Sequence, residues 1–255
     1  MRNINANNIK RKLNKDFVIT TALLTMVFCL GFFAMAINFP DNTDYIAVGL
    51  DGYMHTVVID AGHGGIDGGA TSDYCKFSEA ELNLKIAKQL QTKLSEMGVG
   101  VIMTRKDENS LAPAEGKYFK RRDMDERLKI VEEVAPDLLI SIHINKYASP
   151  SRRGAQTFYR AGSTGKELAE EVQNSLNLSI NKPLLGKEYR TATGDYYLLN
   201  KSKCPSIIVE CGFISSPEDA KLLSSEDYQA YVAEVVSAGI IKYLLNRNGD
   251  TGAKK

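Results

Sequence analysis

Hydrophobic positions along this chain follow two rhythms. Short apolar runs fall at Thr56–Gly62, Val99–Thr104, Leu138–Asn145, Gly154–Tyr159 and Ser206–Cys211. They are rich in β-branched or aromatic residues and end at glycine or polar positions, which predicts strands. Elsewhere apolar residues recur every three or four positions, predicting helices over Glu79–Met97, Met124–Val134, Lys166–Leu176, Pro217–Leu223 and Asp227–Leu245. Ser78 stands where a cap would open the first helix, and Gly98 where a stop would close it. Strands separated by helices of this length indicate an α/β fold. The expectation is a single domain over 56–246, with a largely parallel central sheet flanked by helices. The polar tail 247–255 is expected to fray, and Asp41–His55, without periodicity, reads as a tether.

The first forty residues follow neither rhythm. No charged residue occurs from Phe17 to Phe39, a stretch long enough to cross a hydrocarbon core of about 30 Å as a helix. Arg2, Lys10, Arg11, Lys12 and Lys15 precede it against Asp16 alone. That asymmetry predicts an inside amino terminus and an exported body. Residues 1–40 therefore read as a basic head plus a transmembrane anchor or a signal peptide. Ala34-Met35-Ala36 offers a small-x-small pattern a signal peptidase could cut, while the length of the run favours retention.

Composition narrows the function classes. The formal net charge of +1 hides a slightly acidic body behind the basic head, which argues against a nucleic-acid partner. Tryptophan is absent, so no stacking platform is advertised. The four cysteines, Cys29, Cys75, Cys204 and Cys211, contain no C-x-x-C pair and suggest neither a zinc ribbon nor a redox motif. Free thiols are the plain expectation, with a Cys204–Cys211 disulfide as the alternative.

Candidate chemistry gathers where predicted strands end. Thr56–Ala70 runs from a buried strand into a glycine-rich turn carrying His63. It is no phosphate cradle: Gly69 is followed by Ala70 and Thr71 rather than Lys-Ser/Thr, and Asp67 stands where a dinucleotide fingerprint needs glycine. Leu82, Ile86, Leu90 and Leu94 form the core stripe of the first helix, and one step back along that face lies Glu79. An acid favoured by the helix dipole would also sit there. Alternation over Leu138–Asn145 places Leu139, Ser141, His143 and Asn145 on one face, turning polar toward the end where His63 sits. His143 could equally be a structural imidazole. Glu210 directly follows an apolar strand and is either the first solvated residue beyond it or a buried carboxylate needing a partner. The remaining histidine, His55, lies in the tether and is expected to be solvent-exposed.

Two imidazoles and one carboxylate make the His₂Glu complement of a catalytic zinc site, and a further carboxylate could move protons. On these residues alone Glu79 and Glu210 are interchangeable in the two roles. The helical H-E-x-x-H motif is absent.

Taken together, TVVIDAGHGGIDGGA (56–70), EAELNL (79–84), LISIHIN (139–145), GAQTFY (154–159) and PSIIVECGF (205–213) resemble the zinc-dependent N-acetylmuramoyl-L-alanine amidases of bacterial cell walls. The likeness spans the whole exported domain, and RRGAQTFYR (152–160) is especially similar to the germination-specific, spore-cortex branch. The resemblance implies His63, Glu79 and His143 as zinc ligands and Glu210 as the catalytic carboxylate. It implies hydrolysis of the amide between N-acetylmuramic acid and L-alanine, outside the cytoplasm, in the muramic-δ-lactam pathway of cortex processing. Peptidoglycan is the implied partner, with an accessory lipoprotein as a further one. Ile214-Ser215-Ser216 departs from the family's frequent asparagine after serine. Cys75 and Cys211 flank site residues and are candidate adventitious ligands. Lys117–Arg122 could meet an anionic polymer, though a solvated loop is its ordinary reading. Rival functions are a non-catalytic wall-binding protein on the same fold and a zinc peptidase cutting within the stem peptide.

Overall fold

The computed structural model describes residues 54–252, with side chains through 247. The basic head, the apolar stretch Phe17–Phe39, residues 41–53 of the expected tether and residues 253–255 lie outside them. Among the described residues no helix is long and apolar enough to cross a membrane.

Six strands form one sheet: β1 (Thr56–Ala61), β2 (Gly100–Met103), β3 (Leu138–Asn145), β4 (Gln156–Tyr159), β5 (Ala192–Thr193) and β6 (Ser206–Phe213). Their spatial order is β2-β1-β3-β6-β4-β5, and the neighbours from β2 to β6 are parallel. β4 runs antiparallel to β6, with β5 parallel to β4 at the edge, so the sheet is mixed. The exception has a simple cause. Ten residues without a helix join β3 to β4, too short a connection for a parallel crossover.

The helices are α1 (Glu79–Glu96), α2 (Phe119–Val134), α3 (Gly165–Leu176), α4 (Lys182–Leu185), α5 (Tyr197–Lys201), α6 (Pro217–Leu223) and α7 (Glu226–Gly252), with a π-turn at Asn177–Asn181. The larger core lies under α1, α3 and α7, where Leu82, Ile86, Leu90 and Leu94 meet Val57, Ile59, Leu138, Ile140 and Ile142. α3 and α7 cross closely because Gly239 has no side chain; a Cβ there would lie 2.7 Å from the Val172 backbone. A smaller cluster joins Val58, Leu139, Val131 and Leu198 on the opposite face, beneath α2 and α5. Burial on both faces explains why the central strands read as continuous apolar runs.

Several boundaries differ from expectation. α2 begins at Phe119, after Tyr118 in the left-handed region (φ 61°), so part of the basic stretch Lys117–Arg122 is helix rather than loop. Its first turn lacks the apolar stripe that marks the rest. α7 continues through Gly252, past the expected fraying point, since no proline interrupts it. β5, α4 and α5 are too short to carry a periodic signal.

Candidate metal centre

β1 makes its last ladder bond from Gly62 N–H to the Ile142 carbonyl (3.1 Å) and then turns sharply at its carboxyl end. His63 occupies the left-handed region (φ 62°), followed by Gly64 and Gly65, also at positive φ. Gly62 must be glycine for another reason: a Cβ would lie 2.3 Å from the His143 ring. The turn closes on itself, with Gly64 N–H donating to the Asp67 carbonyl (2.8 Å) and Asp67 N–H to Gly64 (3.1 Å). That closure brings the Asp67 carboxylate 3.0 Å from His63 Nδ1, leaving Nε2 pointing away.

Beneath the turn lies a buried ionic frame. Arg127, 1% exposed, donates from Nη1 to Asp60 Oδ1 (2.7 Å) and to the Ala61 carbonyl (2.7 Å), and from Nη2 to the His63 carbonyl. Its Nε donates to Asp123 Oδ2 (2.8 Å). Arg105 donates to the carbonyls of Ala61 (2.8 Å), Gly62 (3.0 Å) and Ala80 (2.8 Å), tying the turn to α1. Asp60 also accepts from Ser141 Oγ (2.6 Å) and Thr104 Oγ1 (2.8 Å). Burial pushes the Asp60 carboxyl upward, but Arg127 and Ser141 outweigh it and hold it down to about 2.

Glu79 is placed by the start of α1. Ser78 Oγ accepts from Glu81 N–H, and Ser78 N–H donates to the Glu81 carboxylate (2.8 Å), a reciprocal capping box. Glu79 therefore sits at the first helical position, 6% exposed, with Oε2 accepting from Ala70 N–H (2.8 Å). Its Oε1 lies 3.2 Å from His63 Nε2 and 3.0 Å from His143 Nδ1. Burial opposes its charge, yet hydrogen bonds from the two imidazoles hold Glu79 far below the usual carboxylate range. The imidazoles meet at 74°, their centroids 5.1 Å apart.

These three residues fit a metal ion. One donor atom from each lies within 4.8 Å of the others. Ligand atoms around a tetrahedral zinc with bonds near 2.1 Å are separated by about 3.4 Å, close to both contacts made by Glu79. The Asp67 carboxylate on His63 Nδ1 stands where an outer partner would fix a ligating ring. Asp67→Asn is accordingly expected to weaken metal affinity about 10–100-fold, measured by chelator competition.

Glu210 stands opposite His143 in the β3–β6 register and is 8% exposed, so it is a buried carboxylate rather than the first solvated residue beyond the strand. Among the described residues Oε2 has no hydrogen-bond partner. Burial pushes its carboxyl up to about 7, partly offset by the nearby imidazoles. Beside the cluster opens a cavity of about 310 Å³ lined by His63, His143, Lys120, Met124, Tyr196 and Tyr197. Here the basic stretch acts locally: Lys120 pairs with Asp67 (3.0 Å) and Arg121 with Asp125 (3.1 Å).

The structure thus gathers His63, Glu79, His143 and Glu210 at one end of the sheet. It does not gather the cysteines. Cys75 contacts Ser224, Cys211 is buried toward the larger core, and these two and Cys204 are free thiols. His55 is half-buried, 3.6 Å from Asp137, and not solvent-exposed as expected: its backbone carbonyl pairs with Gly100 N–H, drawing it against β2. Sequence pattern does not reveal the ionic frame, although Asp60 inside the apolar run of β1 is its visible signal.

Comparison with known proteins places the chain among relatives. The family model described as N-acetylmuramoyl-L-alanine amidase matches residues 57–242. The germination-specific N-acetylmuramoyl-L-alanine amidase of Bacillus subtilis is 32% identical over 228 residues, covering 86% of this chain and 94% of the relative. The structure of the CwlD amidase from Clostridioides difficile, solved in complex with the GerS lipoprotein, superposes with a TM-score of 0.68 at 36% identity, covering 74% of this chain and 98% of that one. An N-acetylmuramoyl-L-alanine amidase from Clostridium difficile 630 gives 0.64 at 31% identity, covering 74% and 96%.

Proposed function

Because this chain belongs to the N-acetylmuramoyl-L-alanine amidase family, a class of enzymes acting on peptidoglycan, we propose that it works as a zinc hydrolase with the four gathered residues as its machinery. His63, Glu79 and His143 hold the ion, and Glu210 is the catalytic carboxylate. The observation that carries this reading is the convergence of three donors within 4.8 Å beside a buried carboxylate oxygen that has no partner among the described residues.

Zinc in that position supplies Lewis acidity toward the scissile carbonyl and toward water. Glu210, on the neighbouring strand, accepts the proton released when water adds to the carbonyl, and returns it to the L-alanine nitrogen as the amide breaks. Its burial beside the cluster suits both halves: a bound cation would keep the buried carboxylate ionised and ready to take the proton, and burial favours the neutral acid that returns it. Asp67 holds the His63 ring, and Arg105 and Arg127 hold the carbonyls on either side of it. The ligand geometry is therefore built before substrate arrives.

The setting is spore-cortex processing, on the strength of the germination-specific relative. The apolar stretch Phe17–Phe39 exports the domain and serves as its membrane anchor or signal peptide. A lipoprotein partner, of the kind the CwlD amidase structure contains, belongs to the same proposal. Digestion of purified sacculi tests the chemistry. Free lactyl groups on the glycan and new L-alanine amino termini are expected by mass spectrometry; cuts elsewhere in the stem peptide would overturn the amidase assignment. Elemental analysis tests the metal, with zinc expected in the wild-type chain and lost from His63→Ala.

A further inference from the structure

Arg152 lies in the loop from β3 to β4 and has no role in the chemistry above. Its guanidinium carbon stands 5.2 Å from the Tyr147 ring centroid, 5.7 Å from Phe213 and 5.9 Å from Tyr189. Neighbouring Arg153 is spoken for, with Nε 3.1 Å from Asp219. Arg152 has no carboxylate within ion-pair distance among the described residues, and its side chain is exposed.

The platform under it is built rather than incidental. Tyr189 is held by its backbone at both polar atoms, N–H to Asn177 Oδ1 (3.0 Å) and carbonyl from Asn177 Nδ2 (2.8 Å). Its hydroxyl donates to the Arg153 carbonyl (2.5 Å). Asn177 is buried in the π-turn and is itself held by Gln173 and Asn181. Tyr147 N–H donates to Ser215 Oγ (3.0 Å), which holds the backbone from which its exposed ring extends. Phe213, Tyr189 and the half-exposed Tyr147 thus surround a guanidinium whose donor edge has no acceptor among the described residues.

One ring of the platform, Phe213, lies on the strand that carries Glu210. His143 pairs with Glu210 in register; β6 then slips one residue, and Asn145 pairs with Phe213. Phe213 therefore continues the face that carries His143 and Glu210, two strand positions farther out. Two positions on a strand span about 7 Å. An extended peptide leaving the scissile bond covers at most about 3.6 Å per residue, so a second residue running along the strand comes level with Phe213.

We infer that Arg152 receives a carboxylate of the acidic stem peptide, carried by the residue after L-alanine, and so selects substrates bearing that charge. This rests on the amidase reading and adds a specificity residue to it. A guanidinium edge takes a carboxylate through two parallel N–H donors, a geometry lysine cannot copy.

The test uses the full chain with zinc and two soluble substrates: N-acetylmuramyl-L-alanyl-D-glutamate, and the same compound with its glutamate carboxylates converted to amides. Wild type is expected to favour the carboxylate form by about tenfold in kcat/KM, with the difference in KM. In Arg152→Gln that preference collapses to parity, and Arg152→Lys restores only part of it. Equilibrium titration of both compounds into a Glu210→Gln background reads the same preference without turnover. Carboxylate preference there, lost on adding Arg152→Gln, would uphold the inference even if the wild-type chain cleaved neither compound and the amidase reading failed. A wild type that does not discriminate, or an Arg152→Gln variant that still does, overturns it. A lowered melting temperature with preference intact would mark the ring stack as packing only, and also overturns it.

Discussion

Glu210→Gln leaves zinc content unchanged and lowers amide hydrolysis by about 10²–10⁴-fold, the range contributed by a positioned general acid–base group. The substitution keeps the shape of the side chain, and Glu210 is no member of the three-donor cluster, so metal analysis and turnover should separate cleanly. Near-normal turnover would remove Glu210 from the mechanism. A second readout comes from the metal-free domain. Burial raises the folded-state carboxyl from 4.5 to about 7, so between those values the folded chain holds a proton that the unfolded chain has released. Stability from this group is full below about pH 4.5 and is lost as pH rises through 7, by up to roughly 3 kcal/mol. His63 also titrates upward from its ordinary value, so the comparison is wild type against Glu210→Gln, which should lack the Glu210 share of the slope. Zinc in the cluster favours the ionised carboxylate and should flatten the wild-type slope as well. Urea unfolding at pH 5.5 and 8, with and without chelator, gives all four numbers. Identical slopes in wild type and variant would mean that the carboxyl is not held in its raised state.

The readability of this site in the sequence follows from the physics of each residue. His63, His143 and Glu210 were visible because a polar group at the end of an apolar strand breaks a strong pattern. Glu79 was visible because it extends a stripe whose other members, Leu82 to Leu94, are fully buried. Their roles were not separable by pattern: only the carboxylate placed between the two rings can join them, and that is a fact of three dimensions. The direction of β4 was lost for a related reason, since strand periodicity carries no sign. The short β3–β4 connection was the one clue to it. β5 and α5 have too few residues for any period, yet Tyr196 and Tyr197 beside them wall the cavity. The ionic frame was hidden differently. Arg127 reads as a surface residue of an amphipathic helix, and only long-range contact with Asp60, 67 residues away, makes it part of the interior.

That frame carries the other large effect. Arg127→Met should cost about 3–5 kcal/mol at pH 7, the expected result of removing one partner from a buried ion pair. Of a total stability of about 5–15 kcal/mol for a typical domain, this is a severe fraction. The loss has an identifiable origin. Asp60, 2% exposed, keeps its bonds from Ser141 and Thr104 but loses its nearest cation, and Asp123 loses its bond from Arg127 Nε. Burial then dominates and drives the Asp60 carboxyl upward from its present value of about 2. The sign over pH follows. In wild type, Asp60 contributes stability above about pH 4 that is lost as pH falls toward 2; in the variant a raised carboxyl reverses that contribution. The difference between the two proteins should therefore be largest near neutrality and shrink in acid. Asp60→Asn combined with Arg127→Met should recover part of the loss by removing the stranded charge. Because Arg127 also holds the His63 carbonyl, molecules of the single variant that remain folded should bind zinc more weakly, although no ligand has been touched. A penalty below about 1 kcal/mol by urea denaturation at pH 7, the level of a surface pair, would show that the frame is ornament and that the glycine turn holds His63 unaided.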